Sequence, residues 1–212
     1  MTTRHFVNRT LKLFIGVMCA VLTASCGSEL LRTGRSPVFL QILQIEAAAG
    51  NTPDEFVANL QSDVQVIVEV TVGGVTVQQP TIFNDLARIS LAVVAKDQTG
   101  ATTSSLNAVT ITRYRVNFRR SDGRNTPGLD VPYGFDGATP LTIDAGGTGQ
   151  VIFDIVRHQM KLDPPLRNLV GFRGIGFIHT IAEITIWGHD QNGNEVSVSG
   201  SMDVQFSDFG DE

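Results

Sequence analysis

The sequence predicts an all-β protein, a Greek-key β-sandwich of about 7–8 strands with one short helix. Apolar and polar residues alternate in several runs, and this two-residue period is typical of half-buried strands because successive side chains point to opposite faces. Short sequences rich in glycine, aspartate and asparagine separate these runs and favour turns. A small up-and-down barrel is the alternative architecture.

Seven runs carry the strand pattern. They are residues 37–45, 64–77, 88–96, 109–119, 150–157, 180–189 and 195–206. In the second run, Gly73 and Gly74 form either a bulge or a turn that divides it. The one helix is predicted over residues 52–60, where Thr52 is a suitable N-cap and Pro53 suits the first helical position.

Two stretches of sequence resemble known groups of proteins. The predicted hairpin ITIWGHDQNGNEVSVSGSMDVQF has an Asn-Gly turn between alternating strands. It is similar to the last two strands of bacterial immunoglobulin-like domains, which implies an immunoglobulin-like sandwich. The segments AVTITRYRVNFRRSDGRNTPGLDVPYGFDG and VRHQMKLDPPLRNL, together with this hairpin, resemble a group of predicted bacterial lipoproteins. That resemblance implies a location and a fold but no activity.

The N-terminal residues have the composition of an export signal. Arg4, Arg9 and Lys12 precede an uncharged apolar segment, residues 13–24. As a helix this segment would be about 18 Å long, at about 1.5 Å per residue. A bilayer core is about 30 Å thick, so the segment is too short for a comfortable permanent span.

The sequence LTASC, residues 22–26, resembles the lipobox of bacterial lipoproteins. The resemblance implies cleavage before Cys26 and attachment of lipid, palmitate among it, to the Cys26 sulfur and usually to its new amino group. The domains would then be a signal peptide (1–25), a lipidated Cys26 with its tether (26–36) and a β-sandwich (37–212). An ordinary secretory signal with a chance cysteine is the alternative.

The lipid would attach the protein to the cell envelope. Gly27 follows Cys26, whereas an aspartate at that position commonly retains lipoproteins in the inner membrane. In a bacterium with two membranes, the resemblance therefore favours the outer membrane. No cofactor is predicted other than the covalent lipid.

Cysteine content and charge restrict the function further. Cys19 lies within the signal, so the processed chain would have neither a free thiol nor a disulfide. Removal of residues 1–25, with their three basic residues, would leave 13 basic and 21 acidic residues and change the net charge from −5 to −8. An acidic chain lacks the basic surface that nucleic-acid binding requires, so no nucleic-acid partner is predicted.

No catalytic residue is predicted, because the chain has no nucleophile elbow, phosphate-binding loop or paired-histidine metal motif. Oxygen donors do alternate along one turn. They are Asp190, Asn192, Asn194 and Glu195. Calcium prefers such ligands, but the turn lacks the frame of an EF-hand and suits a plain hairpin equally well, so it is a weak calcium candidate.

The strongest candidate for a binding surface is a row of arginines. Arg113, Arg115 and Arg119 share one face of the predicted strand 109–119, and Thr112 is expected on the opposite face. Trp187 is expected on an outer strand face as well. Arginines and an exposed tryptophan suit a carboxylate-rich partner or a glycan. Alternatively, the arginines pair with Glu183 or Asp154, and a loop or the predicted helix covers Trp187.

Three functions remain as hypotheses. The first, which we favour, is a non-enzymatic envelope lipoprotein with a binding or structural role, in which the sandwich binds another envelope protein or supports a surface assembly. The second is a carbohydrate- or polymer-binding module, and the third is a metal-dependent hydrolase. Residues 121–148 are rich in glycine, proline and aspartate and are predicted to be either a functional surface loop or an inserted hairpin.

Overall fold

The computed structural model describes residues 35–97, 104–172 and 176–209. In this part of the chain there are ten strands. They are β1 (Val38–Ala48), β2 (Asn59–Asp63), β3 (Val66–Val72), β4 (Val75–Thr81), β5 (Asp85–Ala95), β6 (Val109–Arg119), β7 (Phe135–Ile143), β8 (Thr148–Val156), β9 (Phe177–Asp190) and β10 (Glu195–Ser207). One helical turn, α1 (His158–Lys161), and two 3₁₀ turns, Ser105–Asn107 and Leu166–Leu169, join them. The predicted export signal and the lipidation site lie outside the described residues.

The strands form two facing sheets and one separate hairpin. The first sheet has the order β1-β5-β8 and the second the order β2-β10-β9-β6-β7. All neighbours are antiparallel except β2, which runs parallel to β10. Alternate residues from both sheets, among them Ile89, Val116 and Ile184, fill one hydrophobic core. The predicted all-β sandwich is therefore confirmed, with more strands than the sequence indicated.

The extra strands have local explanations. Gly73 and Gly74 have φ values of 63° and 84°, which suit a tight turn, so residues 64–77 divide between β3 and β4. β7 occupies part of the predicted loop 121–148 and contains Pro140, which is tolerated because β7 is an edge strand. β2, with the sequence NLQSD, has too few apolar residues to show alternation.

The helix predicted over residues 52–60 is wrong. The backbone N–H of Thr52 donates to Ala49, which closes a turn. Val57 then pairs with Ala47 through two backbone hydrogen bonds of 2.8 Å, and this strand-like pairing prevents the helix from continuing. The short helix of the fold is α1 instead. None of the helices in the described ranges is long and apolar enough to cross a membrane.

The two ends of the sandwich can be defined by the chain. At the tether end, where the described chain begins, Val38 lies opposite Ala95, and Ser36 hydrogen-bonds the carboxylate of Asp190 just before the β9–β10 turn. The far end carries the β3–β4 hairpin, residues 120–134 and α1. β10 has 13 residues, so the ends are about 43 Å apart at roughly 3.3 Å per residue.

A buried ion pair organises the far end. Lys161 Nζ lies 3.0 Å from Asp85 Oδ1, and both side chains are 1% exposed. Asp85 also accepts hydrogen bonds from the Ser62 hydroxyl at 2.6 Å and the Gly50 N–H at 2.9 Å. Burial raises the pKa of Asp85, although Lys161, Ser62 and Gly50 all favour its ionised form. These contacts fasten α1 to β2, to β5 and to the β1–β2 connection.

Candidate functional site

The predicted arginine row lies on the outer face of the five-stranded sheet. Arg113, Arg115 and Arg119 are all exposed on β6, while Tyr114, Val116 and Phe118 between them point into the core. The neighbouring strand β9 places Trp187 directly opposite Arg113. The sequence therefore placed the arginines and the tryptophan on the correct face.

Two of the three arginines are engaged in ion pairs. Arg115 contacts both carboxylate oxygens of Asp136, at 2.9 Å and 2.7 Å, and Arg119 pairs with Glu183 on β9. The hydrogen bond from Arg115 holds the pKa of Asp136 below its ordinary value. The predicted pairing with Glu183 is present. These two arginines are less available to a partner.

Arg113 is placed differently. Its guanidinium carbon lies 4.2 Å from the centre of the Trp187 ring, a cation–π contact. It makes no ion pair with any residue in the described ranges. Trp187 is half-buried, and the segment 52–60 pairs with β1 rather than covering the indole. Arg113 and Trp187 therefore form a pair that remains accessible to a ligand.

A β-bulge shapes the strand beside this pair. The register of β6 shifts between Ile111 and Arg113 against both neighbouring strands. Thr112 is the extra residue against β9, whereas against β7 it lies opposite two residues, Thr139 and Pro140. Thr112 and Arg113 are consequently both exposed, and the expectation that Thr112 faces the core is wrong. Bulges re-aim side chains in this way and often lie next to binding sites. The simple alternation of polar and apolar residues in a sequence does not reveal such bulges.

The pair lines an open cleft of about 530 Å³ at the tether end. The lining residues are Arg35, Thr112, Arg113, Trp187, Gly188, His189, Gly193, Asn194 and Glu195. Two guanidinium groups and one histidine are thus grouped with one carboxylate on a protein that is acidic overall. Arg35 was not anticipated, because it belongs to the predicted tether and its proximity depends on the fold.

Gly188 allows the floor of the cleft to form. A Cβ at this position would lie 2.5 Å from the Thr110 carbonyl oxygen, so only glycine fits without movement of the backbone. Gly188 pairs with Ile111, next to the bulge in β6. Gly188 therefore permits the close approach of β6 and β9 at the edge of the cleft.

The four calcium candidates are arranged around a turn. The Asp190 carboxylate accepts hydrogen bonds from the N–H groups of Asn192 and Asn194, at 3.0 Å and 2.8 Å, and from the Asn194 side-chain amide at 2.9 Å. Burial opposes ionisation of Asp190, but these bonds and that from Ser36 outweigh it and hold its pKa below the ordinary value. An ion at Asp190 would have to displace these donors. Asn194 and Glu195 also line the cleft.

The three histidines within the described ranges lie apart from one another. His158 at the far end contacts Asn84, His179 lies 3.6 Å from Asp203, and His189 is beside the cleft. The structure, over the ranges it describes, contains no group of three or more histidine, cysteine, aspartate or glutamate residues arranged to hold a metal ion.

Comparison with known proteins adds little to this geometry. The chain matches no protein-family model and no curated protein. A solved structure described as "X-ray structure of Northeast Structural Genomics Consortium target SoR45" is similar to 81% of this chain and 86% of that chain, with 8% identity and a TM-score of 0.33. A similarity this distant carries no argument about function.

Proposed function

We propose that this protein is a lipid-anchored component of a bacterial cell envelope whose cleft of Arg113 and Trp187 binds another envelope protein. The observation that supports this most directly is the state of Arg113, which is stacked on Trp187 without an ion pair among the described residues while Arg115 and Arg119 are neutralised. Arginine and tryptophan are the residue types most enriched where binding energy concentrates in protein interfaces.

The cleft suits a partner surface with a carboxylate next to an apolar group. Arg113 and Arg35 both line the cleft, and guanidinium groups form charge-assisted hydrogen bonds to carboxylates, while the indole of Trp187 provides apolar area. Glu195 also lines the cleft, so its lining is not uniformly basic. One or two acidic side chains in an otherwise apolar or polar segment match this arrangement better than a uniformly acidic segment.

The position of the cleft supports a partner close to the membrane. Arg35 lines the cleft, and it lies only nine positions after Cys26 in the sequence. A stretch of that length extends at most about 32 Å at roughly 3.6 Å per residue. If Cys26 carries lipid, the cleft therefore remains within a few tens of Å of the lipid surface.

Photo-crosslinking in intact cells tests the proposal. A photoreactive amino acid replaces His189 in the full-length chain, with and without Arg113→Glu, and adducts are identified by mass spectrometry. We expect one protein adduct that Arg113→Glu reduces at least tenfold. The matched control is Arg119→Glu, on the same strand and face but ion-paired, which should leave most of the adduct. The same chain with Cys26→Ser should lose both the adduct and membrane fractionation.

Equal adduct yields with Arg113→Glu and with the parent chain would contradict the proposal. Persistent membrane fractionation of Cys26→Ser would contradict the lipid anchor separately.

A glycan-binding function is the second candidate, because Trp187 is partly exposed beside an open cleft. Sugars bind tryptophan by stacking on the ring, and the Arg113 guanidinium already occupies one ring face. Saturable binding of the purified domain to an envelope polysaccharide, lost in Trp187→Ala and increased in Arg113→Ala, would favour this candidate over the first.

A further inference from the structure

The Lys161–Asp85 pair places an amine against a carboxyl group in a site that is closed to solvent. Lys161 Nζ lies 3.0 Å from Asp85 Oδ1 and 3.0 Å from Asp85 Oδ2, and both side chains are 1% exposed. These two distances hold Nζ at most about 3.5 Å from the carboxyl carbon, the separation of two reacting atoms in a near-attack arrangement. The pair therefore has the geometry of a nucleophile and an acyl carbon as well as that of an ion pair.

Burial favours the uncharged forms of both groups. Charges are costly in the protein interior, and transfer of one proton from Nζ to the carboxylate removes two charges at once. Burial also raises the pKa of Asp85, which is the direction that this transfer requires. The products of the transfer, a neutral amine and a carboxylic acid, are the reactants of amide formation. The closed site also excludes the bulk water that would reverse that reaction.

The two other contacts of Asp85 suit the same reaction. The Gly50 N–H donates to Oδ1 at 2.9 Å, and the Ser62 hydroxyl donates to Oδ2 at 2.6 Å. A fixed N–H donor stabilises the negative charge that develops on a carbonyl oxygen when a nucleophile adds to its carbon. A hydroxyl in contact with the second oxygen can transfer a proton to that oxygen as it leaves as water.

Close packing places these groups around Asp85. A Cβ at Gly50 would collide with the carbonyl oxygen of Asn84 and the Cβ of Phe83, so only glycine brings the β1–β2 connection this near. Ser62 is fully buried on β2, and the amine comes from the end of α1. A buried ion pair by itself adds little net stability, so stability alone does not explain why four segments converge on one carboxyl group.

A covalent link here would have a structural effect that the cysteines of this chain cannot supply. Cys19 and Cys26 both precede residue 35, so no disulfide can form within the described ranges. A bond between residues 85 and 161 spans 76 positions, and links that close long loops restrict the unfolded chain most. The bond would attach α1, which belongs to neither sheet, to the first residue of β5.

We propose that Lys161 and Asp85 form an intramolecular isopeptide bond in the folded protein. One proton moves from Nζ to Oδ2, and Nζ then adds to the carboxyl carbon. A second proton passes from Nζ through the Ser62 hydroxyl to Oδ2, and the bond from carbon to Oδ2 breaks. The ammonium and the carboxylate thereby become one amide and one water molecule, with no oxidant or cofactor. Chains that have not reacted retain the ion pair. This inference does not depend on the lipid anchor or on the Arg113 cleft.

Peptide mapping of the purified full-length chain tests the proposal. In an unlinked chain, trypsin releases residues 36–88 and residues 158–161 as separate peptides. An isopeptide bond blocks cleavage after Lys161, so residues 36–88 should be joined to residues 158–167, with a total mass lower by one water molecule. We expect this joined peptide, with fragmentation placing the link at Lys161 and Asp85. Its fraction should increase while the native chain is incubated but not while the chain is unfolded in denaturant.

Lys161→Arg is the matched control, because arginine keeps a positive charge beside Asp85 but lacks the amine. It should give only the separate peptides. Ser62→Ala should form the bond at least tenfold more slowly, and Ser62→Thr, which restores a hydroxyl, should recover most of the rate. Thermal unfolding of each variant shows that it is folded.

Recovery of only the separate peptides from the incubated parent chain would overturn the proposal. A joined peptide that persists in Lys161→Arg, or that forms equally fast in denaturant, would overturn it as well. The same mass analysis separates linked chains from chains held by the ion pair alone, so the stability of each form can be measured.

Discussion

At the tether end of the sandwich, charged and aromatic groups lie on the surface, and the Asp190 carboxylate holds the turn beneath them. At the far end the arrangement is reversed, because a charged pair is buried and apolar groups are exposed. The tether end exposes Arg113 and His189, on strands whose own pairing fixes their positions. The far end exposes Tyr133 and Leu129, on loops that need separate anchors.

The difference indicates how each surface is kept rigid. Strand neighbours supply the order at the tether end, because Arg113 and Trp187 lie opposite each other in the sheet. No such ladder holds α1 or residues 120–134. The Lys161–Asp85 pair and the buried side chain of Val131 supply order there, together with local hydrogen bonds such as that from the Thr126 N–H to Asp130 Oδ2. A buried ion pair adds little net stability but defines its own geometry, because separating the two charges is very unfavourable.

The largest loss of stability is expected from removing one partner of the Lys161–Asp85 ion pair. Lys161→Met would leave Asp85 buried and unpaired, and we expect a loss of about 3–5 kcal/mol in the free energy of unfolding. Chemical denaturation followed by Trp187 fluorescence measures it. The far end should be affected first, with faster amide hydrogen exchange in α1 than in β9.

The double variant Lys161→Met/Asp85→Asn is the matched control. Asparagine retains acceptor and donor groups for Ser62 and Gly50 without the charge, so most of the lost stability should return. A double variant as unstable as the single one would show that shape, not charge, makes Lys161 important.

A smaller loss of stability is expected from a substitution at the tether end. Asp190→Asn replaces a buried carboxylate that accepts three hydrogen bonds from the turn, and we expect a loss of about 1–3 kcal/mol at pH 7. Hydrogen exchange should increase at Asn192 and Asn194, whereas α1 at the opposite end should be unchanged. Destabilisation that spreads equally to both ends would contradict the view that they are anchored independently.

The pH dependence of the same variant provides a second test. The pKa of Asp190 is lower in the folded protein than its ordinary value of 3.8, so its ionised form stabilises the fold above that value. This contribution disappears as the pH falls through the pKa of the folded state. The stability difference between the parent chain and Asp190→Asn should therefore be constant at neutral pH and shrink below pH 3.8. A difference independent of pH down to 2 would assign the effect to packing.

The sequence was more informative about strands than about either end. Alternation identified β6, β9 and β10 with nearly correct bounds and placed Arg113 and Trp187 on the outer face, because side-chain direction in a strand is a local property. It missed β2 and β7, whose short polar or proline-containing sequences become strands only by pairing with neighbours. Lys161 and Asp85 are 76 residues apart, and no local sequence pattern indicates that they form an ion pair.

The smallest change in stability, and the largest in binding, is expected at Arg113. Its contact with the Trp187 ring is on the surface, so Arg113→Gln should reduce the free energy of unfolding by only about 0.5–1 kcal/mol. Partner binding at the cleft should nevertheless weaken at least tenfold, because the guanidinium is the group that a partner carboxylate would meet. Arg115→Gln, which removes an ion pair with Asp136, should leave binding within threefold. If Arg113→Gln and Arg115→Gln weakened binding equally, the whole arginine row rather than the stacked pair would be the binding surface, and the tether end would act through its net charge.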